Sequence, residues 1–162
     1  MLNNEILTHA IKTIEICKKA DWKLSTVESC TGGLITAYLT SVSGSSDVVD
    51  RGFTTYSNEA KNELVGVPLE TIKRYGAVSE QVAQAMAEGG LKNSVSDIAI
   101  AVTGIAGPGG GTTEKPVGLV HFGCATRLKD TLTFHEIFEG DREEVRSKTV
   151  LMALKLVQQA LI

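Results

Sequence analysis

The sequence predicts an α/β protein, a three-layer α/β/α sandwich around a mixed, mostly parallel sheet. Three observations lead there. Apolar residues recur at helical spacing in segments that alternate with short strand-like runs through the first part of the chain. The run "DIAIAVTG", residues 97–104, is continuously apolar and rich in β-branched side chains, as a central strand covered on both faces must be. Late in the chain, "VGLVHFGCATR" and "TLTFHEIFE" are joined by the turn-like "LKD", which adds an antiparallel hairpin to the parallel part.

The elements follow in order. Ile6, Leu7, Ala10, Ile11, Ile14 and Cys17 lie on one helical face, so residues 4–20 are expected to form an amphipathic helix closed by lysines. "KLSTVE" is a short strand. Leu34, Ile35, Tyr38, Leu39 and Val42 mark a second helix that stops at the small-residue run "SVSGSS". "RGFTTYS" is a second strand, followed by a short helix "NEAKNELVGV" with Asn58 as the expected N-cap. Ser79 is placed to cap "EQVAQAMAEGGLKNS", and Asp141 with Glu144 forms a capping-box pattern at the start of the last helix.

One domain over residues 1–162 is expected, because a chain of this length buries roughly 70% of the surface its unfolded form exposes. The opening Met1 and helix have the pattern of a free-standing protein. Hydrophobic residues make up 43% and charged residues 22%, the mix of a soluble globular protein. A net charge of −3 offers no general attraction for nucleic acid or an anionic membrane, so any anion site must be local. No stretch is long and apolar enough for a membrane span, and the N-terminus lacks the basic start and apolar core of a signal peptide. Three cysteines without paired spacing argue against a disulfide framework and for the cytoplasm. No cluster of His, Cys and acidic residues has metal-ligand spacing.

The chemistry gathers in three loops expected beyond the carboxyl ends of the strands. "ESCTGG", residues 28–33, sits at a strand-to-helix junction, where unpaired backbone N–H groups favour an anion. Ser29 there is either a nucleophile or, with Thr31, an ordinary helix cap. Cys30 lacks a histidine partner in any recognisable motif and reads as a buried, inert thiol. A serine nucleophile without histidine needs another base, and Lys61 in "TYSNEAK" is a candidate. A helix dipole contributes only about 0.3–1 kcal/mol against a lysine's proton at a surface, so desolvation must do most of the work of making it neutral. The alternative for Lys61 is a solvated surface lysine. Tyr56 is placed either to relay a proton and fix the lysine or simply to pack. "TGIAGPGGGTTEKPVG" has neither Walker nor dinucleotide spacing, and is either a backbone-lined phosphate or ribose pocket or a flexible connection. Arg142 can add a charged contact to a phosphate.

Taken together and in this order, "ESCTGG", "GSSDVVDRGFTTYSNEAK", "GAVSEQV", "TGIAGPGGG", "EKPVG" and "GDRE" resemble the CinA C-terminal domain family, whose stand-alone members are nicotinamide-nucleotide amidohydrolases. The likeness runs from about residue 5 to the end, with a departure in the residues after Gly107-Pro108. It implies an anticodon-binding-domain-like α/β/α fold and hydrolysis of the carboxamide of nicotinamide mononucleotide without metal or organic cofactor. It also implies Ser29 as nucleophile, Lys61 as base and Tyr56 as supporting hydroxyl. Thr31, Gly32, Gly104, Ala106, Gly107 and Arg142 are then expected around a small-molecule nucleotide. Two other readings stay open, a catalytically silent nucleotide-phosphate binding module and an interaction domain without a ligand. Sequence leaves the chain free to be a monomer or a homo-oligomer.

Overall fold

The computed structural model describes residues 2–162. Helix α1 (Asn4–Ala20) leads into β1 (Leu24–Glu28), α2 (Leu34–Thr40), β2 (Val49–Thr54) and α3 (Asn58–Val65). Then come α4 (Leu69–Tyr75), α5 (Glu80–Lys92), β3 (Ile98–Gly104), the hairpin β4 (Leu119–Thr126) and β5 (Leu132–Ile137), and α6 (Arg142–Ala160). A single turn of 3₁₀ helix at Ser45–Asp47 precedes β2.

The five strands form one mixed sheet in the order β2-β1-β3-β4-β5. β1 runs parallel to both β2 and β3, whereas β3–β4 and β4–β5 are antiparallel. Helices cover both faces, which gives the expected three layers. Ile98, Ile100 and Val102 of β3 project into the larger core with α1, α2 and α6, while Ala101 projects into the smaller core with α5. The period-two alternation of a strand explains the split. The α5 face is built from small residues because the helix lies close. A Cβ at Gly123 would overlap the Ala83 carbonyl, and one at Gly90 would overlap Val27.

Local chemistry sets the helix ends. Asn3 caps α1, Ser79 caps α5, and Asp141 with Glu144 completes a full capping box on α6. The cap of α3 is Ser57, whose side chain accepts from the Ala60 N–H, and Asn58 is the first helical residue. This corrects the expected Asn58 cap by one position. Helix α4 was not foreseen; it buries only Ile72 and so leaves no apolar period to detect.

Candidate active site

The parallel strands β2, β1 and β3 end side by side. Glu28, the last residue of β1, lies in register with Thr54 of β2 and Val102 of β3. Ladder-like bonds continue one residue further, from the Ser29 N–H to the Val102 carbonyl and from the Thr55 N–H to the Glu28 carbonyl. Ser29, Thr55 and Thr103 are therefore fixed by the sheet at one edge, where open α/β sheets place their ligands.

A cavity of about 270 Å³ opens at that edge. Ser29, Cys30 and Lys61 form its floor, Tyr56 and Asn58 one rim, and Ala77 and Val78 another. Thr103, Gly104 and Ala106 from the end of β3, with Arg142 from the start of α6, close the remaining side. Thr103 Oγ1 donates to the Ala77 carbonyl at 2.8 Å and pins the α4–α5 connection to the strand end.

Lys61 is the most unusual residue in the fold, because its side chain is only 1% exposed and ends against a hydroxyl. Its Nζ lies 3.0 Å from Ser29 Oγ, 3.0 Å from the Thr55 carbonyl and 3.3 Å from the Tyr56 carbonyl. Among the described residues no carboxylate is within ion-pair distance of it. Burial pushes the Lys61 pKa below its usual value, opposed in part by Cys30 and Glu59. The geometry suits a neutral amine as well as a charged one. A protonated Lys61 donates to Ser29 Oγ as well as to the two carbonyls; in the neutral form two N–H bonds can satisfy the carbonyls and the lone pair can take the hydroxyl proton. Ser29 itself is 8% exposed and opens onto the cavity.

Tyr56 meets the lysine through its backbone. Its side chain is 62% exposed, and its hydroxyl lies 3.4 Å from Arg142 Nη2, so the contact to Lys61 is made by the Tyr56 carbonyl. Arg142 also donates to the Gly107 carbonyl at 2.8 Å, which stiffens its guanidinium against the "TGIAGPGGG" loop. Gly104 and Ala106 line the cavity; Thr31, Gly32 and Gly107 do not. Thr31 is fully buried, and the Gly32 N–H is spent on the Ser29 carbonyl at 3.1 Å. The Cys30 N–H follows the serine, belongs to a lining residue and bonds to no other described residue, its one nearby acceptor being the Cys30 thiol itself. Burial pushes the Cys30 thiol up to about 12, so it is no rival nucleophile.

Glu28 and Arg146 were not singled out from the sequence. Glu28 is an acid closing an apolar strand immediately before the serine, and it is 1% exposed. Arg146 stands one helical turn after Arg142 and donates to the Cys30 and Thr31 carbonyls at 3.1 and 3.0 Å. The i,i+4 pair of arginines was the signal available for it. No group of three His, Cys, Asp or Glu side chains among the described residues is placed to hold a metal ion, and no helix is long and apolar enough to cross a membrane.

This fold and site define a class. Residues 7–161 match the CinA C-terminal domain, and the chain belongs to that family. A nicotinamide-nucleotide amidohydrolase from Enterobacter agglomerans is 51% identical over 138 residues, covering 85% of this chain and 84% of that protein. A longer relative from Caldicellulosiruptor bescii is 55% identical over 141 residues, 86% of this chain, and the chain spans 34% of its length. The crystal structure of the competence/damage inducible protein CihA from Agrobacterium tumefaciens superimposes with a TM-score of 0.95 at 46% identity, covering 99% of this chain and 98% of that one.

Proposed function

We propose that this chain is a nicotinamide-nucleotide amidohydrolase that converts nicotinamide mononucleotide and water to nicotinic acid mononucleotide and ammonia, with Ser29 as nucleophile and Lys61 as base. One observation carries the reading: a desolvated lysine whose Nζ stands 3.0 Å from the Ser29 hydroxyl while two carbonyls take its remaining directions. The amidohydrolase relative supports the substrate class.

In the first half, Ser29 Oγ attacks the carboxamide carbon as its proton passes to Lys61. The Cys30 N–H faces the oxygen that becomes negative, an interaction worth about 100- to 1,000-fold in rate for one donor. Lys61 returns the proton to the departing nitrogen, the C–N bond breaks, and ammonia leaves an ester on Ser29. In the second half, water attacks the ester carbon and gives its proton to Lys61. The C–O bond to Ser29 breaks, and the serine oxygen takes the proton back. Arg142 has guanidinium N–H groups beyond those used on Gly107 and Tyr56, and a phosphate at that rim would orient the distant carboxamide. The three cysteines are free and buried, which suits a reducing cytoplasm.

The test is ammonia release from nicotinamide mononucleotide by the wild type and by Ser29→Ala. Loss of the nucleophile is expected to lower turnover by about three orders of magnitude or more. Tight nucleotide binding with no ammonia from either protein would point to a silent nucleotide-phosphate binding module instead.

A further inference from the structure

The two residues that sequence reading passed over converge on one short turn. Within residues 29–33 one backbone bond, from the Gly32 N–H to the Ser29 carbonyl, closes the turn, and Gly32 and Gly33 both adopt positive φ, at +60° and +106°, a conformation glycine takes at little cost. Both sides of the turn are held from outside. From α6, Arg146 donates through Nε to the Cys30 carbonyl and through Nη2 to the Thr31 carbonyl, a forked grip across a separation of more than a hundred residues. From β1, the Glu28 carboxylate accepts the Thr31 hydroxyl at 2.6 Å and the Ile35 N–H at 2.8 Å on Oε1. Its Oε2 accepts the Thr36 N–H at 3.1 Å and the Thr36 hydroxyl at 3.0 Å.

The consequence concerns peptide orientation. In a trans peptide the C=O and N–H point in opposite directions. The Ser29 carbonyl accepts from Gly32, so the Cys30 N–H on the same peptide points the other way. Arg146 fixes the next two peptides, and Glu28 anchors the Thr31 side chain between them. Glu28 also occupies the first amides of α2, which removes that helix end as a competing anion site. Glu28 and Arg146 do not line the cavity that holds Ser29 and Lys61, and Arg146 borders the neighbouring one that shares Arg142.

We propose that Arg146 and Glu28 are positioning residues that clamp the turn after Ser29 and keep the Cys30 N–H beside the carbon under attack. The proposal rests on the acyl-transfer reading of Ser29, and it assigns the oxyanion site to a main-chain donor set by two remote side chains.

Two rates test it in Arg146→Met, Arg146→Lys and Glu28→Gln. One is ammonia release from nicotinamide mononucleotide; the other is acetylation of Ser29 by p-nitrophenyl acetate, followed by peptide mass, which assumes nothing about the natural substrate. Arg146→Met is expected to lower both kcat and the acetylation rate by about 10- to 100-fold while KM changes by less than about threefold. The acid limb of the pH profile should stay in place, because Lys61 keeps its partners. Arg146→Lys should recover part of the loss, since an ammonium ion can still hold one carbonyl. Thermal melts identify any variant that fails to fold, and Glu28→Gln tests the opposite side of the clamp if Arg146→Met does. Folded Arg146→Met and Glu28→Gln proteins with wild-type kcat and acetylation rate would overturn the proposal. A wild type that is acetylated at Ser29 but releases no ammonia would overturn the substrate reading alone, and the clamp would then stand or fall on acetylation. A wild type that resists acetylation and releases no ammonia would overturn both.

Discussion

Replacement of Lys61 by methionine tests whether the lysine is neutral in the folded protein, independently of any substrate. Lys61 is 1% exposed, and burial holds its pKa below the usual 10.5. Below the lowered folded pKa both folded and unfolded chains carry the proton, and the desolvation penalty on the fold is complete. Between that pKa and 10.5 the unfolded chain binds a proton that the folded chain does not. Folding stability therefore rises with pH across this window, with a limiting slope of about 1.4 kcal/mol per pH unit. Above 10.5 neither state is protonated and the penalty is gone. Methionine fills a similar space and does not titrate. The stability of wild type minus that of Lys61→Met should accordingly climb with pH at up to that slope, while titrations common to both proteins cancel. Loss of partners at the Thr55 and Tyr56 carbonyls costs the variant about 1–3 kcal/mol each, an offset with little pH dependence. The measurement is urea unfolding followed by circular dichroism, at steps of about one pH unit from about pH 7 to pH 10. A difference that stays flat across the range would mean that the folded protein holds the Lys61 proton as firmly as water does, and a neutral base would be ruled out.

Two further outcomes are expected. Arg142→Gln should raise KM for nicotinamide mononucleotide by about 10- to 100-fold with a smaller change in kcat, and should leave the reaction of nicotinamide riboside, which lacks the phosphate, nearly unaffected. Equal loss with both substrates would remove Arg142 from phosphate binding. Iodoacetamide should fail to label Cys17, Cys30 and Cys124 in the native protein, since all three are buried and each thiol is pushed up to about 12, and should label all three after unfolding. Native labelling of Cys30 at the rate of a free thiol, read by peptide mass, would count against a closed site floor.

Much of the architecture was legible because it is written in local periodicity. The helix over 4–20 and the caps at Ser79 and Asp141 fall where spacing and side-chain chemistry place them. The choice between Ser57 and Asn58 was not, since adjacent cap-competent residues are separated only by which one takes extended backbone, here Ser57 at φ −87°, ψ 164°. For the site, sequence reading could name Ser29 and Lys61 as chemically suited, but their meeting across 32 positions depends on β1 and β2 pairing in parallel. Arg146 lies 116 residues from the Cys30 carbonyl it holds, and no local pattern reports such a contact. Tyr56 shows the reverse limit: its side-chain type suggested a hydroxyl role, whereas its contact to the lysine is through a carbonyl that any residue would supply.

That last feature bears on how such a site tolerates change. Lys61 is steered by oxygen atoms from the chain as it leaves β2, so replacements at positions 55 and 56 that keep the path of the backbone keep the amine on target. Sequence drift there is buffered. To transplant the pair into another scaffold, a designer would have to reproduce a strand exit and the helix that follows it, and could vary most of the letters that spell them.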